Sequence, residues 1–368
     1  MKILYTESSP NIGGQELQAL AQMAAMQRAG HSVMLACREN SRIAAEAVRQ
    51  QTAVTYIPFR NSLHFSSVWR LRRLVLAFRP DMVVCHSGHD SNTVALTRAT
   101  LTGGAGRFSI VRQKTYLTRK MKVFSLNHLC DAVAVPGLAM KEALQAAGCT
   151  NTIRVVSPGF DFDAIREAMS MPLPEHVREW LDARAPHPVI VQIGMLRPEK
   201  GLDFMLKTLF HLKRDGGLFH WLIVGGGRPE EVRLLRSKIH SLGMEECVLI
   251  CGYLSPVYPL YKVASLMVMP SIWESFGMAA VEAAACGVPV MASNAGGLSS
   301  IIHHERTGIL LPPDDRQAWL EALSASLSAP ARFAEMAAMA RRDVMRRFSM
   351  ESTIDGLLSL GGGSTPLT

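Results

Sequence analysis

Two glutamates eight positions apart are the most chemically pointed feature of this 368-residue chain. They sit in VMPSIWESFGMAAVEAAACGVPVMASNAGG, with Glu274 in an expected loop and Glu282 inside an expected helix that Ser275-Phe276-Gly277 opens and Gly287 ends. Free N–H groups at such a helix start favour a phosphate, while carboxylates accept hydrogen bonds from hydroxyls. That combination suits a sugar on one side of a diphosphate and a ribose on the other. Solvated glutamates on a surface helix fit poorly, because the helix is apolar nearly all round. Upstream, Arg197 and Lys200 lie in GMLRPEKGLDF, a planar fork and a point charge in one strand-to-helix loop, suited to a diphosphate. Near the start, Gly13-Gly14 precedes a helix and lets backbone N–H groups approach an anion. Gly225 begins the run GGG in WLIVGGGRPEE, where the glycines admit a close backbone or ligand but lack the spacing of a dinucleotide fingerprint.

These loops need strands to hold them. Strand-like runs occur at Lys2–Thr6, Ser32–Cys37, Val54–Pro58, Met82–His86, Phe108–Arg112, Ala132–Val135 and Arg154–Ser157, with helical patterns between them. After a proline-rich stretch the alternation restarts at Val189–Ile193, Trp221–Val224, Val248–Cys251, Leu266–Met269, Val288–Ala292 and Ile309–Leu311. Strand–helix alternation predicts parallel sheets covered on both faces. The expected architecture is α/β, with two Rossmann-like doubly wound domains and a ligand cleft between the carboxyl ends of their strands. The expected domains are 1–165, a linker at 166–187, 188–345, a helix at 346–360 crossing back to the first domain, and a flexible tail at 361–368.

Composition narrows the function classes. Hydrophobic residues at 48% and charged residues at 19% exclude a disordered chain. No apolar run approaches the roughly 18 residues of a spanning helix, and the N-terminus is too short in apolar residues for a signal peptide. Seven scattered cysteines argue against a disulfide framework and for a reduced, cytoplasmic setting. Cys247 and Cys251 lack a second ligand pair and read as core rather than zinc. Residues 1–157 hold 19 Lys/Arg against 8 Asp/Glu, whereas residues 158–368 hold 20 against 23. The basic field of the first half favours phosphates, whether in a nucleic acid, an anionic lipid or a phosphorylated substrate.

ESFGMAAVEAAACGVPVMAS resembles the paired-glutamate signature of glycosyltransferase family 4, retaining enzymes of the two-Rossmann GT-B fold. IGMLRPEKGLDFML is similar to the family's donor-phosphate loop, NAGGLSSIIHHERTGILLPPDD to the segment after the second glutamate, and IGGQELQ to its N-terminal glycine loop. The resemblance implies that Glu282 holds the ribose hydroxyls and Glu274 the donor sugar. It implies that Arg197 and Lys200 neutralise the diphosphate, with backbone contacts from Gly14, Ser275, Phe276 and Gly277. Members often carry a histidine after the strand matching Phe108–Arg112. This chain instead reads VRQKTYLT, with Gln113 and Thr115 there, and His86 or His89 of CHSGHDS falls in neighbouring space.

The expected function is therefore a retaining, metal-independent, hexosyltransferase-like enzyme without a cofactor. It would transfer from a UDP- or GDP-linked sugar to a hydroxyl on a lipid-linked glycan, lipopolysaccharide or other envelope glycoconjugate. Nucleic acid is not an expected partner. Two alternatives stay open: an NAD-dependent oxidoreductase built on the GGG turn, and a sugar-nucleotide-binding protein without transfer activity. A retaining glycosidase would need its carboxylates about 5–5.5 Å apart, normally from separate strands. Asp161-Phe162-Asp163 spells a metal-binding triplet but falls at the expected hinge. Finally, HFSSVWRLRRLVLAFRP mixes Trp69, Leu71, Leu74, Leu76 and Phe78 with Arg70, Arg72, Arg73 and Arg79, and Arg119 and Lys120 add to the basic field. That pattern predicts a peripheral dock on anionic lipid at the cytoplasmic face of the inner membrane.

Overall fold

The computed structural model describes residues 1–61, 64–116 and 122–361. Arg119, Lys120 and the tail from residue 362 lie outside them. The chain divides into two units, one of residues 1–160 with 348–368 and the other Asp161–Arg347.

In the first unit seven strands form one parallel sheet: β1 (Lys2–Glu7), β2 (Ser32–Cys37), β3 (Ala53–Tyr56), β4 (Met82–Cys85), β5 (Ser109–Gln113), β6 (Ala132–Val135) and β7 (Ile153–Val155). Their order is β3-β2-β1-β4-β5-β6-β7, so the winding reverses between β1 and β4. Register is continuous there, Ile3 pairing with Val33 on one side and Met82 on the other. Side chains alternate across the sheet. Ile3 and Tyr5 enter the core containing Leu20, Met23 and Met26, while Leu4 enters the opposite core with Leu71 and Val75. Helix Met350–Gly361 closes the first of these cores with Met350, Ile354 and Leu357, spaced to share one helix face. Thr353 anchors it by donating to the Ser157 carbonyl at 2.9 Å.

The second unit repeats the plan with six parallel strands: β8 (Val189–Ile193), β9 (His220–Val224), β10 (Val248–Gly252), β11 (Ala264–Met269), β12 (Val290–Ser293) and β13 (Ile309–Leu311). The order β10-β9-β8-β11-β12-β13 reverses between β8 and β11. Trp221, Ile223, Leu266 and Val268 pack with Met205, Leu209 and Trp319 in its core. All thirteen strands read from the sequence are present, with no end moved by more than two residues.

The segment at 166–187, expected as a linker with a short helix within it, is occupied by two helices instead. Helices Phe162–Ser170 and Glu175–Asp182 both belong to the second unit. Ile165 and Val177 are buried, and Pro174 caps the second helix at its start rather than opening a free connection. The division therefore falls between Phe160 and Asp161, not after residue 165. The returning helix begins at Met350, because residues 346 and 347 finish helix Pro330–Arg347.

Candidate functional site

In the second unit, the loops after β8 and β11 bring Lys200 and Glu274 together. Lys200 Nζ donates to Glu274 Oε2 at 2.5 Å, with both side chains mostly buried. Hydrogen bonds to the backbone hold the pair in register. Ile272 N–H donates to the Glu199 carbonyl at 2.9 Å, and Gln192 Nε2 donates to the Lys200 carbonyl at 2.8 Å. From the loop after β12, Gly297 N–H donates to the Glu274 carbonyl at 2.8 Å. A side chain at Gly296 would place its Cβ 2.0 Å from that same carbonyl, so only glycine permits the approach. Gly296 and Gly297 thus cradle the Glu274–Phe276 backbone. Their position two loops away concealed this role in the sequence.

Arg197 is half-exposed at the first turn of the same loop, 3.8 Å from Glu199. Phe276 is buried, and Gly277 caps helix Met278–Ala285 with φ of 109°. Ala280 N–H donates to the Gly277 carbonyl at 2.9 Å, and the N–H groups of Met278 and Ala279 ahead of it have no intrahelical acceptor. Glu282 lies in the helix, half-buried, with Tyr258 Oη donating to Oε1 at 3.5 Å. Burial pushes the Glu282 carboxyl up to about 7, against the opposing Tyr258 hydrogen bond. Gly225 has a reason within the fold: a Cβ there would sit 1.8 Å from the Gly194 carbonyl. Leu196 N–H also donates to the Gly226 carbonyl at 2.8 Å, which seats the Arg197 loop on the glycine run.

In the first unit, the ends of β1, β4 and β5 enclose a buried polar network. Asp90 Oδ1 accepts from Ser87 N–H, Ser87 Oγ and Ser91 N–H, and its Oδ2 accepts from Thr6 Oγ and His86 N–H. The His86 ring is locked, with Nδ1 3.3 Å from the Thr6 carbonyl and 3.8 Å from Glu7, and Nε2 3.1 Å from Gln113 Oε1. Burial lowers its pKa below the usual histidine range, Asp90 opposing. Glu7 accepts from Ser9 N–H at 2.8 Å and from Gln15 Nε2 at 3.0 Å, while Thr115 Oγ donates to Gln15 Oε1 at 2.6 Å. Burial first, then Asp90, pushes the Glu7 carboxyl up to about 8. Sequence reasoning missed Glu7 and Asp90. Ser87 and Asp90 do spell a capping box, the one signal that was available for either. Gly13 N–H is taken by Glu16 at 2.8 Å, whereas the space above Gly14 is open. His89 is exposed on the first turn of helix Gly88–Ala99.

Asp161 and Asp163 serve local structure. Asp161 accepts from Ala164 N–H as a helix cap, and Asp163 pairs with Arg166 at 2.7 Å. Among the described residues, no group of three or more His, Cys, Asp or Glu side chains is placed to hold a metal ion.

Residues 12–164 match the family described as Glycosyltransferase Family 4, and residues 187–329 match Glycosyl transferases group 1. The chain belongs to the family 4 glycosyltransferases. A D-inositol 3-phosphate glycosyltransferase of Xylanimonas cellulosilytica is 33% identical over 223 residues, covering 58% of this chain and 52% of its own length. One from Rhodococcus opacus is 35% identical over 221 residues, 56% of this chain and 47% of its own. The chain spans about half the length of the curated relatives it matches. Among solved structures, Anabaena HepE in complex with UDP and glucose superposes with a TM-score of 0.81 at 19% identity, over 98% of both chains. A Rickettsia africae glycosyltransferase gives 0.84 at 18% identity, over 98% of this chain and 97% of its own. The family 4 chain thus shares the two-Rossmann GT-B fold with both.

Proposed function

We propose that this family 4 chain is a retaining, metal-independent glycosyltransferase that moves a sugar from a UDP- or GDP-sugar to an acceptor hydroxyl. The observation that carries the reading is the Lys200–Glu274 pair beside the start of the Glu282 helix. Charge builds on a diphosphate as the sugar–phosphate bond breaks. Lys200, Arg197 and the N–H groups of the helix first turn supply fixed positive potential there without a metal. Glu274 orients Lys200 and accepts from donor-sugar hydroxyls, and Glu282 accepts from the ribose. UDP and glucose bound to HepE, a protein of the same fold, support the donor class. The incomplete dinucleotide fingerprint and the structural reason for Gly225 weigh against the oxidoreductase alternative.

For the acceptor, we favour a lipid-linked or envelope glycan, worked on from the cytoplasm at an anionic membrane surface. Helix Phe65–Phe78 supports this: Phe65 is 88% exposed and Trp69 57% exposed, on a face that also carries Arg73, stacked 4.9 Å from the Trp69 ring centroid. No helix among the described residues is long and apolar enough to cross a membrane. A second reading is a soluble phosphorylated cyclitol, as the names of the relatives indicate.

A thermal-shift panel of UDP-, GDP- and ADP-sugars with NAD tests the donor class, since a ligand at 100 times its Kd stabilises by about 2.7 kcal/mol. Stabilisation by NAD alone would overturn it. Product analysis with EDTA then tests transfer, anomeric retention and metal independence together. Flotation with anionic and neutral vesicles separates the acceptors; failure to float with anionic lipid favours the cyclitol.

A further inference from the structure

The second unit also holds a cavity of about 300 Å³, built apart from Lys200 and Glu274. Its walls are Phe162, Ile165, Arg166 and Met169 from the first helix of the unit, and Arg341 and Met345 from its last. Lys262 and Cys286 also line it, with the small side chains of Ser170 and Ala285. Lys262 precedes β11 and Cys286 precedes β12, so the lining comes from the amino-terminal edge of the sheet, opposite the loops of the candidate site. The volume is at the lower end of the range for small-molecule pockets, about 300–1,000 Å³.

The lining divides sharply in chemistry. Phe162, Ile165, Met169 and Met345 give an apolar floor, and three cations stand around it with no carboxylate among the lining residues. Arg166 is turned toward Asp163, and Lys262 donates to the Met171 carbonyl at 3.0 Å. Arg341 lies close enough to Cys286 to act on its thiol, which burial pushes up to about 12 with Glu282 adding and Arg341 opposing. Asp163 already answers Arg166, but a neutral apolar occupant would leave Lys262 and Arg341 without a counter-charge, and a cation would be repelled by them. We propose that the cavity binds a small amphipathic anion, an apolar body carrying one phosphate or carboxylate. Such an occupant joins three elements: the helices by which the chain enters and leaves this unit, and the end of the Glu282 helix, where Cys286 lies one turn beyond Glu282.

Cys286 provides a readout that does not depend on glycosyl transfer. The full chain is alkylated with N-ethylmaleimide at pH 8 in the presence of n-octyl phosphate, and the Cys286 and Cys247 peptides are followed by mass spectrometry. Cys247 is also half-buried but lies outside the cavity. Saturable slowing at Cys286, with Cys247 unchanged and octylamine inert, is the expected result. Arg341→Glu should raise the half-protecting concentration about tenfold, the scale of one charge-assisted contact. Arg341→Gln is the fallback if the charge reversal impairs folding. Equal slowing by octylamine, slowing at both cysteines, or no change in a folded Arg341 variant overturns the proposal.

Discussion

The carboxyl edges of the two sheets sit at the same topological position, where strand order reverses, and are built by opposite means. In the second unit backbone fixes the site: Ile272 N–H to Glu199, Gly297 N–H to Glu274 and Leu196 N–H to Gly226. In the first unit side chains do it, through Glu7, Gln15, Thr115, Asp90, His86 and Gln113. Backbone ties do not titrate and depend on glycine at close approaches. A buried side-chain network tolerates backbone change better but carries protons that come and go with pH. The ties of the first edge therefore titrate, whereas in the second the titrating Glu282 stands apart from the backbone ties, and those ties are the sterically brittle ones.

The largest effect should separate their glycines. Gly225→Ala drives a Cβ into the Gly194 carbonyl and should cost about 3 kcal/mol or more of the second unit's stability. Gly14→Ala meets nothing within 4 Å and should stay within about 0.5 kcal/mol of the parent while weakening donor binding. Urea melts compare the two. Equal costs would erase the contrast.

Next comes the charge at the donor diphosphate. Lys200→Ala removes a group that gains importance as the bond breaks, so kcat should fall by roughly 10²-fold. Full kcat in a folded variant would remove Lys200 from the mechanism. Glu282→Ala should act more gently and differently, raising the donor KM about tenfold with kcat little changed, because a ribose contact is equally present in ground and transition states. Steady-state kinetics on both variants sharpen the division within the second edge. A glycosidase would show the reverse, with either glutamate essential for turnover.

The smallest effect belongs to the first edge. Glu7 holds its proton in the folded chain at pH values where an unfolded glutamate has lost it. Its stabilising contribution is thus complete below the ordinary glutamate value of 4.5 and disappears as pH rises through about 8. His86, lowered by burial, works in the opposite sense, losing stability as pH falls through the ordinary histidine range. Glu7→Gln should flatten the decline in Tm between pH 5 and 8, gaining roughly 3 °C relative to the parent at the upper end. Melts at pH 5, 6.5 and 8 check the slope, and an unchanged slope would show that Glu7 does not titrate there.

Sequence by itself determined the elements and the types of chemistry. Alternating β-branched runs and 3.6-residue periodicity are local, and each strand or helix forms under the same rule wherever the chain later takes it. For that reason the two doubly wound sheets, the Arg197–Lys200 loop and the spaced pair Glu274 and Glu282 were legible from composition and spacing. Tertiary structure alone decided which of those groups meet. Lys200 and Glu274 are 74 residues apart and touch only because β8 lies beside β11. Glu7 and His86 meet because β1 lies beside β4. The roles of Gly225 and Gly296 depend on a carbonyl arriving from another loop. Strand order is set by how whole faces pack, and no window of sequence contains it. Prolines 172 and 174 misled for the same reason, since they read as a linker until the burial of Val177 shows the helix that follows them packed into the second unit.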